Sequence, residues 1–201
     1  GILYNDAILQ KYFATDGAKA SSVEQINSFS KLREVVEDMT AKKDLLGIDG
    51  VFACTSLKPG EDWRWQTHLA NIPISYEWIR GGIDLTSDAT REISFSYHEN
   101  FKNIFDLYLQ NSTVDSKLLG TKQVMDSMAE FALGKCAMVQ NGNWAWNDIK
   151  GIEGNTVKEE DVHFLPIYTG MEGEETQGLC IGTENFFCIN AKASEADQKL
   201  A

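Results

Sequence analysis

Phe131-Ala132-Leu133-Gly134-Lys135-Cys136-Ala137-Met138-Val139-Gln140-Asn141-Gly142-Asn143-Trp144-Ala145-Trp146 is the stretch that decides the fold. From Thr121 to Leu133, Val124, Met128 and Phe131 recur at helical spacing, so the segment reads as an amphipathic helix. Gly134 is a fitting stop, because glycine takes the left-handed turn that closes many helices without a side-chain clash. Cys136 to Gln140 is an apolar run too short for a helix and reads as a buried strand. Asn141-Gly142 is a turn signal, and the residues from Trp144 lead into another helix. Helix, buried strand, turn and helix in close succession are the mark of an α/β layer architecture.

The same alternation extends in both directions. Residues 1–9 read as a short strand entering a turn. Ser22-Val23-Glu24-Gln25 has the form of a capping box and predicts a short helical turn. Ser28 caps a longer helix whose buried face is Phe29, Leu32, Val35, Val36 and Met39, with Gly47 at its end. Gly50 to Thr55 is a compact buried strand. After the Lys58-Pro59-Gly60 turn, Glu61 and Asp62 put acids into the first turn of a further helix, where they suit the helix dipole. The polar run 81–92 is loop-like, and Phe101, Ile104, Phe105, Tyr108 and Leu109 form a helix face. Val162 to Tyr168 reads as a strand. Gln177 to Asn190 reads as one more, with a break near Gly182.

A chain of 201 residues holds one large domain or two small ones and needs no disulfide or metal to stabilise its core. Its formal net charge is −12, and ten acids against three bases lie from Glu153 onward. So acidic a chain is a poor partner for nucleic acid or an anionic membrane surface, both of which need clustered positive charge. No apolar run approaches the roughly 18 residues of a membrane-spanning helix. The chain opens at Gly1-Ile2-Leu3, inside an apolar run and without a leader, which predicts a segment of a longer protein. Cys54, Cys136, Cys180 and Cys188 sit apart in apolar runs and are expected to be buried free thiols. His68, His98 and His163 are scattered, and none pairs with a cysteine at ligand spacing, so no metal and no cofactor is expected. There is no P-loop, G-x-S-x-G or H-E-x-x-H motif.

The chemistry lies in the tryptophans. Four of the five fall in two W-x-W pairs, Trp63/Trp65 and Trp144/Trp146, each beside a predicted helix start. Helical residues two apart point about 200° from one another, so one ring of each pair joins the core while the other faces outward. Spacing alone does not say which ring of each pair is the outward one. Asp62, Arg64, Asn141 and Asn143 flank them. A flat ring edged by fork-shaped donors and acceptors suits a pyranose, which has an apolar C–H face and a rim of hydroxyls.

These residues carry a resemblance. Phe131 to Trp146 resembles the F-x-x-G-x-A-A-M-x-x-x-G-x-W-x-W stretch of family 1 extracellular solute-binding proteins, the maltose-binding-protein-like sugar receptors of ABC importers. Leu3-Tyr4-Asn5-Asp6-Ala7-Ile8-Leu9 is similar to the family's strand-turn segment, and Ser28-Phe29-Ser30-Lys31-Leu32 to its T-W-x-E-L helix start. Leu165-Pro166-Ile167 matches its L-P strand, and Gly178 to Ala193 resembles its G-G-x-x-x-x-I-N-x-x-S strand. The resemblance implies an α/β fold that is one lobe of a two-lobed, type II periplasmic-binding-protein-like architecture. Residues 1–176 would form most of the second lobe, and 177–201 the crossing strand and the start of the return to the first. It implies a sugar or oligosaccharide held between lobes, delivery to the permease subunits of an ABC importer, and a place outside the cell or in its envelope, lipid-anchored or periplasmic. Trp63 and Trp144 inherit the aromatic platforms and are thereby the expected outward rings, with Trp65 and Trp146 the expected core rings, and Glu184 joins the ligand-binding candidates. Arg64 and Trp65, and Asn143 where the maltose receptor has proline, depart from the pattern and leave the particular sugar open.

Other readings are a glycoside-active enzyme and a protein-binding module with tryptophan hot spots. The enzyme would need two carboxyls about 5–10 Å apart across a cleft. Glu61, Asp62 and Glu77 lie near Trp63 in sequence, which decides nothing about such a pair.

Overall fold

The computed structural model describes residues 1–182 and 188–200. Its centre is a four-stranded sheet in the order β2-β3-β1-β4, formed by β1 (Ile2–Asn5), β2 (Gly50–Phe52), β3 (Cys136–Gln140) and β4 (Val162–Leu165). β2 and β3 run parallel, with Phe52 opposite Met138. β1 is antiparallel to both of its neighbours, with Leu3 opposite Val139 and Phe164. The helices are α1 (Asp6–Phe13), α2 (Phe29–Ala41), α3 (Lys43–Leu46), α4 (Leu69–Arg80), α5 (His98–Gln110), α6 (Val124–Ala132), α7 (Ala145–Lys150) and α8 (Glu195–Leu200).

Side chains on a strand alternate between its two faces, and β1 uses both. Ile2 and Tyr4 join Leu9 and Tyr12 of α1, Leu32 and Val35 of α2, and Leu69 and Ile104 of α4 and α5. Leu3 joins Met128 and Phe131 of α6 and Ala145 and Ile149 of α7. Helices therefore cover the sheet on both sides, which is why every residue of β1, β2 and β3 is buried. Gly50 is required where β2 passes the chain after α5, because a Cβ there would stand 2.5 Å from the backbone of Ser112 and Thr113.

The expected mixed α/β architecture and the β3 boundaries match the structure. Ser28 caps α2 through Lys31 N at 3.3 Å. Several local expectations need correction. The helix from Ser28 does not run unbroken to Gly47; it stops at Ala41, and α3 follows before Gly47. The capping box at Ser22 is incomplete: the turn is a single 3-10 segment, and Gln25 Oε1 accepts from Ser21 N instead. The strand from Gly50 is a ladder only to Phe52, and that from Val162 only to Leu165.

The second apolar stretch, 177–190, forms no strand over residues 177–182 or 188–190. Ile181 is 91% exposed, because no neighbouring strand takes up this backbone. Its centre, with Glu184, lies outside the described residues. Cys54 and Cys136 are buried, whereas Cys180 and Cys188 are exposed on that same stretch; all four are free. Burial pushes the Cys54 thiol up to about 12 and Cys136 further in the same direction. No helix among the described residues is long and apolar enough to cross a membrane.

Candidate functional site

The site is built where β2 and β3 end. In α/β sheets the carboxyl ends of parallel strands leave a crevice, because the chain must turn away into helices there. After β2 the chain reaches Trp63 and then a five-residue turn wound with i→i+5 bonds, Arg64–His68, which runs into α4. Pro73 in α4 has no N–H for the Leu69 carbonyl, so the regular ladder is interrupted just beyond this wide turn. Such widened turns recur at functional sites. After β3, Asn141 to Trp144 turns into α7.

The two turns bring three rings together. The Trp63 and Trp144 centroids are 6.0 Å apart with the planes at 42°. His68 meets Trp63 edge-on at 4.9 Å and Trp144 at 5.9 Å. Trp144 is 39% exposed and Trp63 half-buried. Their sequence neighbours turn inward. Trp65 is buried against Phe105 and Tyr108, with Nε1 donating to the Thr55 carbonyl at 3.0 Å. Trp146 is half-buried against the α6–α7 core. His68 and Trp144 border an open cavity of about 630 Å³, lined also by Asn143, Phe164, Ile167 and residues 179–182; Trp63 packs against both rings but does not line it.

The remaining candidates occupy different places. Asn143 is exposed on the cavity wall. Arg64 is buried beneath Trp63, its guanidinium carbon 4.1 Å from the ring centroid, and its Nε donates to Asn141 Oδ1 at 3.0 Å. Burial lowers the Arg64 pKa, and the nearby charges of Glu61 and Asp148 act against that. Asn141 is fully buried; the same Oδ1 accepts from Gly142 N at 3.0 Å, and Nδ2 donates to Met128 Sδ. Asp62 is half-buried and accepts from Gly60 N and Gln66 Nε2, within its own turn. Glu61 accepts from Val124 N at 2.9 Å and so satisfies an open donor at the start of α6. No group of three His, Cys, Asp or Glu side chains that could hold a metal occurs among the described residues.

Two contributions were not anticipated from sequence. His68, considered only as a zinc ligand, is a wall of the cavity, and Gln140 Nε2 lies 3.0 Å from its Nδ1. Periodicity gives no hint of this, because His68 reaches the site only through the widened turn. Gly142 lies under the Trp144 ring: a Cβ there would stand 2.2 Å from ring carbons. The Asn-Gly pair signals a turn, but not a ring laid across it.

The family model for bacterial extracellular solute-binding proteins matches residues 1–201. No curated protein matches the chain, and no solved structure does. The mixed sheet with helices on both faces agrees with one lobe of that fold. The chain belongs to the bacterial extracellular solute-binding protein family.

Proposed function

We propose that the solute is a sugar or oligosaccharide, that the protein carries out no catalysis on it, and that it delivers the sugar to the permease of an ABC importer from an anchored or periplasmic position. The observation that carries this reading is the exposed Trp144 ring, backed by Trp63 and lining an open cavity with the exposed Asn143 amide on its wall. A sugar's C–H face stacks on the exposed Trp144 ring, and its hydroxyls meet amide and imidazole groups at the edge. The carboxylates nearest Trp63 in sequence are taken up by structural donors, Asp62 within its own turn and Glu61 at the start of α6, which favours binding over glycoside hydrolysis.

In this proposal residues 1–176 are most of one lobe and 177–201 begin the return to the other. A ligand held between lobes buries roughly 70–90% of its surface, whereas one lobe offers one side of that contact. The chain alone then binds sugar at millimolar strength or weaker, a few kcal/mol in free energy. A thermal-shift screen of the two-lobed protein against mono- and oligosaccharides tests the reading. A true ligand at 100 times its dissociation constant stabilises by about 2.7 kcal/mol. Stabilisation by amino acids or peptides with none by any sugar would refute it.

A further inference from the structure

Three consecutive residues at the end of β3 each hold one ring of the site. Gln140 pairs with His68 through Nε2 and Nδ1. Asn141 accepts from Arg64 Nε, and the Arg64 guanidinium carbon lies over the Trp63 ring. Gly142 leaves the space over which Trp144 lies. Asn141 links two of these, since one oxygen, Oδ1, takes both the Arg64 Nε–H and the Gly142 N–H. It is fully buried, so water does not compete for that oxygen.

We propose that Gln140-Asn141-Gly142 is the device that sets the three rings relative to one another, and that Asn141 is its central positioning residue. Asn141 acts through Arg64 on Trp63 and through the Gly142 backbone on Trp144. The strand end that β3 anchors in the sheet thereby fixes the spacing and tilt of the platform before any ligand arrives. Preorganisation of this kind raises affinity because the ligand does not have to order the rings. Its value for capturing a sugar rests on the function proposed above; the ring geometry does not.

The test therefore reads geometry without ligand. Two indoles at 6.0 Å and 42° couple their transitions and give an exciton couplet in the far-ultraviolet circular dichroism spectrum. Trp144→Phe should remove the couplet and so assign it. Asn141→Ala should abolish it while the helical bands persist, because Arg64 Nε and Gly142 N both lose their acceptor. Asn141→Asp keeps an oxygen for both donors, loses only the contact to Met128 Sδ, and should retain the couplet. If the alanine variant does not fold, Arg64→Met removes the Nε donor and the stacked cation while keeping an unbranched stem, and should lose the couplet in its place. A folded Asn141→Ala protein with the full couplet would overturn the proposal, as would an aspartate variant that loses it as completely as alanine. These outcomes are independent of sugar binding, so failure of the screen above leaves them intact.

Discussion

Asn141 Oδ1 and Arg64 Nε meet at 3.0 Å across 77 positions of sequence, and both residues are buried. This bond joins the turn after β3 to the turn that follows β2. It explains how two tryptophans on separate segments come to share one surface. A stacked guanidinium beneath an indole contributes about 0.5–2 kcal/mol, increasing as the pair is desolvated. Arg64 thus stiffens Trp63 from below while Trp144 flanks it.

Gly142→Ala should displace the Trp144 ring, since the added Cβ would stand 2.2 Å from it. The ring is partly exposed and has room to swing outward. Ring stacking is worth about 0.5–1.5 kcal/mol beyond buried area, so sugar affinity should fall by up to roughly tenfold. Calorimetric titration together with the melting temperature checks this. A melting temperature that collapses with affinity intact would contradict it.

Glu174 is a buried carboxylate that holds three backbone donors: Phe29 N at 2.6 Å, and Thr169 N and Gly170 N at 2.8 Å. It ties the segment after β4 to the first turn of α2, where an anion also suits the helix dipole. Glu174→Gln replaces one acceptor oxygen with an NH₂ that faces donors. Leaving a buried donor unmet costs about 1–3 kcal/mol, so denaturant unfolding should show a loss of that order. An unchanged midpoint would show that the clip contributes nothing.

Of the fold, what strong periodicity marks was legible in the sequence. Phe29 to Met39 and Phe101 to Leu109 bury the faces their spacing implies, apart from the half-buried Phe101, Phe105 and Leu109. Apolar character alone misled at 177–182, where a strand needs a neighbour that local sequence does not specify. In the site, the opposition of Trp63 and Trp65 followed from two-residue spacing, and which of them turns inward from the resemblance. The burial of Arg64 and Asn141 did not, because it depends on a contact between distant turns. His68 and Glu174 act through tertiary placement and carry no local signal.

Asp38 sits between Tyr12 Oη at 2.9 Å and Lys42 Nζ at 2.7 Å. Desolvation raises its pKa, and the hydrogen bonds to Lys42 and Tyr12 with the Lys42 charge outweigh that, so it lies below its ordinary value. A depressed folded pKa stabilises the fold above the unfolded value of 3.8 and loses that contribution as pH falls through the folded value. Asp38→Ala should cost about 1 kcal/mol near neutrality and progressively less in acid. Denaturant titrations of both proteins at neutral pH and below pH 3.8 measure this. A difference that grows on acidification would reverse the sign and refute a depressed Asp38 pKa.

Cysteine reactivity should divide in two. Cys180 and Cys188 are exposed and should react with a water-soluble thiol reagent in the native protein. Cys54 is buried, with Sγ donating to the Tyr108 carbonyl at 3.1 Å, and Cys136 is buried in β3. Both should react only after unfolding. Four equally fast thiols, or fewer than four in denaturant without reductant, would contradict the free and divided set.

In the proposed function the exposed Trp144 ring, backed by Trp63, receives a sugar. Titrating the two-lobed protein of that proposal and its Trp144→Ala variant with the same sugar, followed by tryptophan emission, measures this. A saturable emission change is expected in the unsubstituted protein and at least a tenfold loss of affinity in the variant, equivalent to about 1.4 kcal/mol. Equal affinity of the two proteins for a sugar that binds would contradict it.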